Sequence, residues 1–272
     1  MIAGQTARNW CWALAFSAIA GAALAQAPAK QAFEPSVGQA GKDVVWVPTP
    51  QQLVDKMLEM AKVTPRDYLI DLGSGDGRTV ITAAKRGVRA LGIEYNPDMV
   101  ELSRRNAAAA GVGDKATFLK ADIFQSDFSR ATVITLFLLT DLNIKLRPTI
   151  LTLKPGTRIV SNTFRMGDWE PDETAEVGCE SFCTALLWIV PARVEGTWKT
   201  AQGELTFRQT YQLVSGMLKS GGAATAISDG KLHGDQISFS AGGSQYHGRV
   251  SGDAIEGTVK SAGKNSVWKA SR

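Results

Sequence analysis

The sequence predicts an α/β domain with a largely parallel sheet, followed by a small antiparallel β-barrel or sandwich domain. Residues 68–72 form a short apolar run that breaks into a glycine-rich turn and then into a helical pattern, as in a buried strand leading into a helix. Apolar runs and helical patterns alternate up to about residue 190. Beyond it, short strand patterns separated by glycines replace the helices, which is typical of an antiparallel meander.

The glycine-rich turn lies within residues 67–78 and carries glycines at alternate positions, Gly73, Gly75 and Gly77. Glycine has no β-carbon, so it adopts positive φ and lets a ligand approach the backbone closely. The spacing differs from the Gly-x-Gly-x-x-Gly of dinucleotide-binding folds, and no Gly-Lys-Ser/Thr of a phosphate-binding loop follows. The turn therefore predicts a nucleoside ligand whose tail carries charges other than a diphosphate.

An acidic residue follows each of the next two predicted strands. The strand over residues 89–94 ends at Glu94, at about the distance from Asp71 where a βαβ unit places a carboxylate beside a ribose. The third strand, over residues 116–120, precedes Asp122. Glu94 is therefore the predicted ribose ligand.

Residues 71–77, Glu94 and residues 120–122 together resemble the first three motifs of the class I S-adenosylmethionine-dependent methyltransferases. The resemblance implies a Rossmann-like sheet with helices on both faces and S-adenosylmethionine as the cofactor. In this family the glycine turn passes the methionine moiety, the acid after the second strand holds the ribose hydroxyls, and an acid after the third strand takes the adenine amino group. The implied cofactor-binding residues are Asp71, Gly73, Ser74, Gly75, Gly77, Glu94 and Asp122.

Further segments of the sequence indicate one particular family among these methyltransferases. Residues 46–49, 71–78, 94–97 and 168–172 are similar to the protein-lysine methyltransferase family that modifies the c-subunit of mitochondrial ATP synthase and the adenine nucleotide translocase. The similarity covers about residues 44–190 and implies a protein lysine as the methyl acceptor. The N-terminal residues and the C-terminal β domain depart from that family.

Candidate catalytic residues follow the fourth and fifth predicted strands. The β-branched and apolar run over residues 131–139 leads to Asp141 at the carboxyl edge of the sheet, and the strand over residues 158–164 leads to Asp168 and Trp169. We predict Asp141, Asp168 and Trp169 as catalytic, since a carboxylate accepts hydrogen bonds from an amine and an aromatic face attracts a cation. The alternative is that Asp168 and Trp169 are only a loop and its packing anchor.

Three other residues are expected near the ligands. Phe164, at the end of the fifth strand, is a further candidate for contact with the substrate. In methyltransferases a helix ahead of the first strand closes over the cofactor, so Trp46 and Thr49, which precede a predicted helix ending near Lys62, are expected to line the cofactor. An equally weighted alternative places Trp46 in the core.

The charged residues, histidines and cysteines of the sequence limit the kinds of partner and metal site that are expected. Lys and Arg total 30 and Asp and Glu total 26, a net charge of +4, and no strongly basic run occurs, so no nucleic-acid partner is predicted. The two histidines, His233 and His247, lie far from the cysteines, and no metal site is predicted. Cys179 and Cys183 form a disulfide if a turn or helix brings them close enough, and are buried or idle thiols otherwise.

The N-terminal residues predict export. Arg8 precedes an apolar run over residues 10–24 and a small-x-small cleavage pattern, so residues 1–25 are a predicted signal peptide. The protein is then expected to be periplasmic or secreted, without an integral membrane span after cleavage; an uncleaved N-terminal anchor is the alternative. Residues 26–43 mix Ala, Pro, Gly and Gln without periodicity and are predicted as a flexible leader.

Two domains are predicted for the rest of the chain, a methyltransferase domain over residues 44–190 and an antiparallel β domain over residues 191–272. Within the second, residues 230–237 are repeated as residues 248–255, which predicts one hairpin per repeat with Gly-Asp turns. An envelope protein, glycan or lipid is the candidate ligand of this β domain.

The main functional hypothesis is an S-adenosylmethionine-dependent methyltransferase that transfers a methyl group to a protein lysine amine by in-line displacement. S-adenosylmethionine is made in the cytoplasm, so an exported enzyme needs imported donor. The alternative is an exported, non-catalytic binding module on a methyltransferase scaffold. A third hypothesis, a cytoplasmic enzyme that starts later in the chain, is disfavoured because Met57 lies inside the first predicted helix.

Overall fold

The computed structural model describes residues 1–4 and 33–272, and residues 33–272 form one compact unit. The predicted signal peptide and the predicted anchor lie almost entirely outside the described residues. The helices are α1 Gln51–Met60, α2 Arg78–Lys85, α3 Pro97–Ala109 and α4 Thr140–Ile150. The strands of the first sheet are β1 Tyr68–Leu72, β2 Arg89–Glu94, β3 Ala116–Lys120, β4 Val133–Leu136, β5 Arg158–Asn162, β6 Glu173–Glu176 and β7 Thr184–Ile189.

The first sheet is mixed, with the strand order β3-β2-β1-β4-β5-β7-β6. Strands β1 to β5 run parallel, whereas β7 is antiparallel to both β5 and β6. Strand β1 has β2 on one side and β4 on the other, so the chain order reverses there. In open α/β sheets a ligand crevice forms at such a switch point, outside the carboxyl ends of the strands.

Helices cover both faces of this sheet because successive strand residues point to opposite sides. Leu69 packs in one core with Leu53 of α1 and Val80 of α2, whereas Ile70 packs in the other with Leu146 and Ile150 of α4. All of these side chains are buried. The predicted Rossmann-like sheet with helices on both faces is therefore confirmed.

The C-terminal strands form a closed antiparallel barrel. They are β8 Gly196–Thr200, β9 Gly203–Thr210, β10 Leu213–Ser220, β11 Ala223–His233, β12 Gln236–Ala241, β13 Ser244–Ser251, β14 Ala254–Ser261 and β15 Lys264–Ser271. Each strand pairs with the next along the chain, and Ala270 and Ser271 of β15 pair with Thr200 and Lys199 of β8 to close the barrel. Of the predicted barrel or sandwich, the structure shows the barrel.

The sequence repeat corresponds to two successive hairpins of this barrel. Strands β11 and β12 meet at a turn that contains Gly234, and β13 and β14 meet at a turn that contains Gly252. Both glycines have positive φ, 63° and 58°, as the predicted Gly-Asp turns require. The prediction of one hairpin per repeat is confirmed.

Side chains fill the inside of the barrel. Phe239 stacks on Tyr246 with ring centroids 4.6 Å apart, and both rings meet Trp268 edge to face. A β-carbon at Gly257 would collide with the carbonyl oxygen of His247, so glycine is needed where β13 and β14 approach each other closely. The change from sheet to barrel falls between Ile189 and Gly196, beside the predicted boundary at residue 190.

A cluster of aromatic side chains joins the barrel to the sheet. Trp169 is fully buried, stacks on Tyr211 with centroids 5.7 Å apart, and lies 6.3 Å from the ring of Trp188. Its Nε1 donates to Oε1 of Gln212 at 2.8 Å, and Nε1 of Trp188 donates to its carbonyl oxygen at 2.7 Å. We call this cluster the aromatic junction.

Candidate functional site

The glycine turn connects β1 to α2 at the carboxyl edge of the sheet. Gly73, Gly75 and Gly77 have φ values of 81°, 53° and 82°, all in the left-handed region that glycine adopts without strain. The amides of Gly73 and Ser74 donate to the carbonyl oxygen of Ile93 at 2.9 and 3.1 Å, which fixes the turn to the end of β2. Gly77 is the N-cap residue of α2.

A cavity of about 430 Å³ opens beside this turn, and we call it the cleft. Its volume lies in the range of small-molecule sites. Gly73, Ser74 and Gly75 line it, whereas Gly77 does not; a β-carbon at Gly77 would instead meet the ring of Phe118 at 2.8 Å. The charged side chains that line the cleft are the carboxylates Asp43, Asp71, Asp76, Glu94 and Asp122 and the basic groups Lys42 and Arg78.

Glu94 is held in place by two backbone amides. Its Oε2 accepts from the amide of Gly75 at 3.0 Å, and its Oε1 accepts from the amide of Asn96 at 2.9 Å. A carboxylate oxygen has two acceptor positions, so both oxygens keep capacity for further donors. Glu94 is thus a preoriented, partly exposed acceptor for a pair of hydroxyl groups.

Asp122 lies at the far end of the cleft and pairs with Lys42. The Nζ of Lys42 donates to Oδ2 of Asp122 at 2.7 Å, and the amide of Phe124 donates to Oδ1 at 2.9 Å. The hydrogen bond from Lys42 holds the pKa of Asp122 below its usual range, and the same bond raises the pKa of Lys42. The pair is therefore ionised over a wide pH range.

Residues 38–49, which we call the N-terminal segment, form one wall of the cleft. The amide of Gly38 donates to the carbonyl oxygen of Trp46 at 2.8 Å, and a bridge joins Ala40 to Val45. Trp46 and Thr49 line the cleft as predicted. The predicted flexible leader includes residues up to 43, yet residues 38–43 make these hydrogen bonds and the ion pair to Asp122, which local sequence periodicity does not reveal.

Asp71 is buried at the base of the cleft. Burial raises its pKa to about 7, against the effect of the 2.6 Å hydrogen bond that it accepts from Oγ1 of Thr135, while the charges of Glu94 and Asp76 raise it further. The buried hydroxyl of the neighbouring Ser74 has no hydrogen-bond partner. A ligand that enters the cleft thus meets a titratable carboxyl group at its base.

Three phenylalanines line the cleft at the end away from Asp122. Phe137 follows β4, Phe164 follows β5 and Phe182 precedes β7, so three adjacent strands each place one aromatic ring at the same edge. The ring centroids are 5.3 to 6.0 Å apart. We call these residues the phenylalanine wall.

The predicted catalytic residues do not lie in the cleft. Asp141 is exposed in the first turn of α4, and only its neighbours Leu139 and Leu142 line the cavity. Side chains one and two positions apart on a helix point in different directions, so the start of α4 lines the cavity with Leu139 and Leu142 and not with Asp141.

Asp168 and Trp169 belong to the aromatic junction and its rim. Asp168 accepts from Nη1 of Arg147 at 2.5 Å and from the Tyr211 hydroxyl at 2.9 Å, and these bonds lower the pKa of its carboxyl group. Trp169 faces Gln212 and Tyr211 of the barrel. Trp169 is covered by the barrel, whereas Asp168 stays exposed at the rim of the aromatic junction, so the structure agrees with the alternative hypothesis of a loop and its packing anchor.

Sequence reasoning missed Lys42, Phe137 and Phe182. Phe137 lies inside the predicted fourth strand, where a β-branched and apolar run gives no sign that it reaches the cleft edge. Phe182 follows no periodic pattern, and only its position between two cysteines is unusual. Among the residues with described coordinates, no cluster of His, Cys, Asp and Glu is placed to hold a metal ion.

Comparison with known proteins gives related methyltransferases. The family model described as the ANTKMT methyltransferase domain matches residues 71–173. A protein-lysine N-methyltransferase of Saccharolobus islandicus is 44% identical over 137 residues, which are 49% of this chain and 85% of that relative. The ATP synthase C-subunit lysine N-methyltransferase of Mus musculus is 34% identical over 137 residues, 50% of this chain and 55% of that relative. The chain thus spans little more than half the length of the mouse enzyme.

One solved structure shares both sequence and fold with the chain. It is described as an RNA methyltransferase from Salinibacter ruber in complex with S-adenosyl-L-homocysteine, with 48% identity, a TM-score of 0.52, and coverage of 54% of this chain and 96% of that chain. The family-model match over residues 71–173 ends before the barrel begins at Gly196.

The cleft residues fit S-adenosylmethionine as a ligand. The left-handed glycines at Gly73 and Gly75 expose their backbone, and Glu94 and Asp122 present preoriented carboxylates. An S-adenosylmethionine molecule carries hydroxyl and amino donors and a sulfonium cation that match these groups. The chain belongs to the family of protein-lysine N-methyltransferases, and S-adenosylmethionine is its methyl donor.

Proposed function

We propose that this methyltransferase transfers the methyl group to the side-chain amine of a lysine in a protein. The observation that carries the proposal is the charge of the cleft: five carboxylates and two basic groups line it. Such a site attracts a cationic amine and repels the phosphates of a nucleic acid. The relatives named as protein-lysine N-methyltransferases support the same acceptor.

Donor binding is proposed to follow the geometry of the cleft. Glu94, fixed by two amides, accepts the ribose hydroxyls, and Asp122 accepts the adenine amino group. The turn at Gly73 and Gly75 lies against the methionine moiety, with the Asp71 carboxyl group next to it. When bound, the donor supplies an electrophilic methyl group on sulfur, whose bond to carbon breaks with its electron pair left on sulfur.

The acceptor side of the cleft favours a neutral amine. The phenylalanine wall, together with Leu138 and Leu139, forms an apolar surface that disfavours the charged form of a lysine and lowers its pKa. The amine nitrogen then has the lone pair that forms the new bond to carbon, and its proton leaves to water at the exposed mouth. Holding the two reactants at contact distance supplies much of the remaining rate enhancement.

The test is a comparison of acceptors with methyl-labelled S-adenosylmethionine. Purified residues 26–272 would be incubated with peptides that contain one lysine, with the same peptides carrying arginine instead, and with a structured RNA. We expect Nε-methyllysine in the lysine peptides only, measured by mass spectrometry, and its loss in a Glu94→Ala variant. Label in the RNA alone would overturn the proposal and favour the activity named for the Salinibacter protein.

The alternative of a non-catalytic scaffold gains no support. The glycine turn, Glu94 and Asp122 all have the geometry that donor binding requires, and the relatives compared above are named as methyltransferases.

We further propose that the enzyme works outside the cytoplasm. The predicted signal peptide supports this, as does a disulfide between Cys179 and Cys183, since disulfides persist in oxidising compartments. Among the described residues no helix is long and apolar enough to cross a bilayer. N-terminal sequencing of the protein from fractionated cells should give a start at Gln26 in the periplasmic or secreted fraction, and an uncleaved chain in the cytoplasm would contradict the proposal.

A further inference from the structure

The turn between β6 and β7 lies beside the cleft because β7 runs antiparallel to its two neighbours, β5 and β6. Strand β7 starts where β5 ends, with Ala185 opposite Asn162, so the turn that precedes β7 reaches the carboxyl edge of the parallel strands. The amide of Thr163 donates to the carbonyl oxygen of Thr184 at 2.7 Å and fixes this arrangement. The turn is thereby brought to the same edge as the donor site.

A disulfide closes this turn. Cys179 and Cys183 are bonded, with their Cα atoms 5.7 Å apart, so the turn geometry that the sequence left open is the one present. The amide of Val177 donates to the carbonyl oxygen of Cys183 at 3.0 Å, and the Cys179 sulfur lies 3.3 Å from the carbonyl oxygen of Ser181. Residues 177–183 form what we call the disulfide turn.

Phe182 is the residue that the disulfide turn presents to the cleft. Its side chain lines the cavity, packs against Phe137 at 5.3 Å and Phe164 at 5.9 Å, and is still 37% exposed. Its φ is 55°, in the left-handed region that a bulky residue rarely adopts. Thr163, next to Phe164, also has positive φ, 59°. Such conformations are concentrated at functional sites, where surrounding structure holds them.

We propose that Phe182 is a positioning residue for the methyl acceptor, and that the Cys179–Cys183 disulfide holds its ring in the phenylalanine wall. This inference rests on the proposed function, because it takes the acceptor to be a lysine amine that enters beside the wall. Phe182 is the exposed outer member of the wall, so an entering side chain passes along its ring. The ring removes water from the amine and offers a face that attracts the cation before it loses its proton.

The disulfide matters because few other contacts hold the turn. Ser181 and Phe182 are exposed, and Gly178 has no neighbouring atoms within 4 Å of a β-carbon position. Closing the turn covalently removes conformations in which Phe182 points to solvent. Donor binding should not depend on this turn, since the glycine turn follows β1, Glu94 ends β2 and Asp122 follows β3.

The inference is tested with Phe182→Ala, Phe182→Trp and the double variant Cys179→Ser/Cys183→Ser in residues 26–272. The acceptor probe is Nα-acetyl-lysine methylamide, followed by mass spectrometry, and the donor probe is S-adenosylhomocysteine, followed by calorimetry. Leu213→Ala, which removes an apolar side chain that is 59% exposed on the barrel, is the matched control.

We expect Phe182→Ala to lower kcat/KM for the acceptor about tenfold, mainly through KM, with the Kd of S-adenosylhomocysteine unchanged within about twofold. Phe182→Trp keeps an aromatic face at this position, so its acceptor KM should stay close to that of the wild type. Leu213→Ala should also resemble the wild type. The double serine variant should lose acceptor kcat/KM to a similar extent while it binds S-adenosylhomocysteine normally, which also shows that its sheet is folded.

Three results would contradict the inference, and they are distinguishable. Equal acceptor kcat/KM in the wild type and Phe182→Ala would overturn the role of Phe182 and leave the proposed function intact. A double serine variant with normal binding and normal transfer would overturn the role of the disulfide. A wild-type protein that binds S-adenosylhomocysteine but never methylates the lysine probe or lysine peptides would overturn the proposed function, and this inference with it.

Discussion

The sheet and the barrel both depend on glycines with positive φ, yet they use them differently. In the sheet, Gly73 and Gly75 line an open cleft of about 430 Å³. In the barrel, Gly234 and Gly252 lie in tight hairpin turns, and the interior is filled by aromatic rings such as Phe239. The same backbone conformation therefore exposes a binding surface in one region and closes a packed structure in the other.

The difference follows from how the two sheets end. A parallel sheet leaves its strand ends and loops at one edge, where the chain reversal between β1 and β4 opens a crevice. A closed antiparallel barrel pairs every strand on both sides and fills its interior. The methyltransferase chemistry is therefore expected to depend on the sheet edge, and substitutions in the barrel should act on stability alone.

The sharpest test of this comparison uses two glycines with similar φ, Gly75 at 53° and Gly252 at 58°. A β-carbon at Gly75 would lie 2.7 Å from Nε1 of Trp46, whereas one at Gly252 has no neighbour within 4 Å. Valine at either position should cost about 1–3 kcal/mol of unfolding free energy through backbone strain. Only Gly75→Val should also weaken S-adenosylhomocysteine binding in calorimetry, by about a hundredfold, which corresponds to a loss of about 3 kcal/mol of binding free energy. Similar donor affinity in both variants would refute the comparison.

A smaller effect is expected from the protonation of Asp71, whose pKa is raised from 3.8 to about 7. A cationic donor favours the carboxylate, so donor affinity should rise about tenfold between about pH 6 and pH 8 as the proton is lost. Calorimetry with S-adenosylmethionine at each pH measures this affinity, and Asp71→Asn should bind the donor with little pH dependence. An unchanged pH profile in this variant would assign the dependence to another group.

For the stability of the folded protein, a rise in pH should have the opposite effect through the same Asp71 carboxyl group. Because the folded-state pKa lies above the unfolded one, Asp71 contributes stability that is fully present below about pH 4 and is lost as the pH rises through about 7. Without donor, the melting temperature of Asp71→Asn should therefore fall less than that of the wild type between about pH 5 and pH 8.

The smallest effect is expected from Asp168→Asn. The Asp168 side chain is 74% exposed and lies at the aromatic junction, so solvent screens its ion pair with Arg147 and the pair contributes little to the unfolding free energy. Donor Kd and lysine methylation should stay close to those of the wild type. Glu170→Gln is the matched control, because Glu170 is 70% exposed and pairs with Arg165. A large loss of transfer in Asp168→Asn alone would restore the catalytic role predicted from the sequence.

Local patterns were sufficient to predict most of the fold. Buried parallel strands such as β1 and β4 are continuous apolar runs, and the repeated hairpins of the barrel carry Gly-Asp turns. Strand β6 was not predicted, because its sequence Glu-Thr-Ala-Glu at the sheet edge is largely exposed and shows no apolar alternation. Propensity gives little signal for an exposed edge strand whose pairing depends on its neighbour.

The site was predictable at its donor end and not at its acceptor end. The glycine turn and Glu94 belong to one continuous βαβ unit, so their spacing in sequence fixes their spacing in the structure. Phe137, Phe164 and Phe182 meet only because three strands are neighbours in the sheet. Trp169 was misplaced for the same reason, since its partner Gln212 lies 43 residues later, on the barrel.

The closure of the barrel also has a consequence for the order of folding. Strands β8 to β15 pair with their neighbours through short turns, whereas Ala270 must find Thr200, which lies at the other end of the barrel sequence. Closing a loop of that length costs more chain entropy than forming a hairpin, so the hairpins are expected to form first and the β8–β15 seam last. Until that seam forms, β8 and β15 expose unpaired edges on which two newly made chains would associate, and rapid closure protects the protein from aggregation.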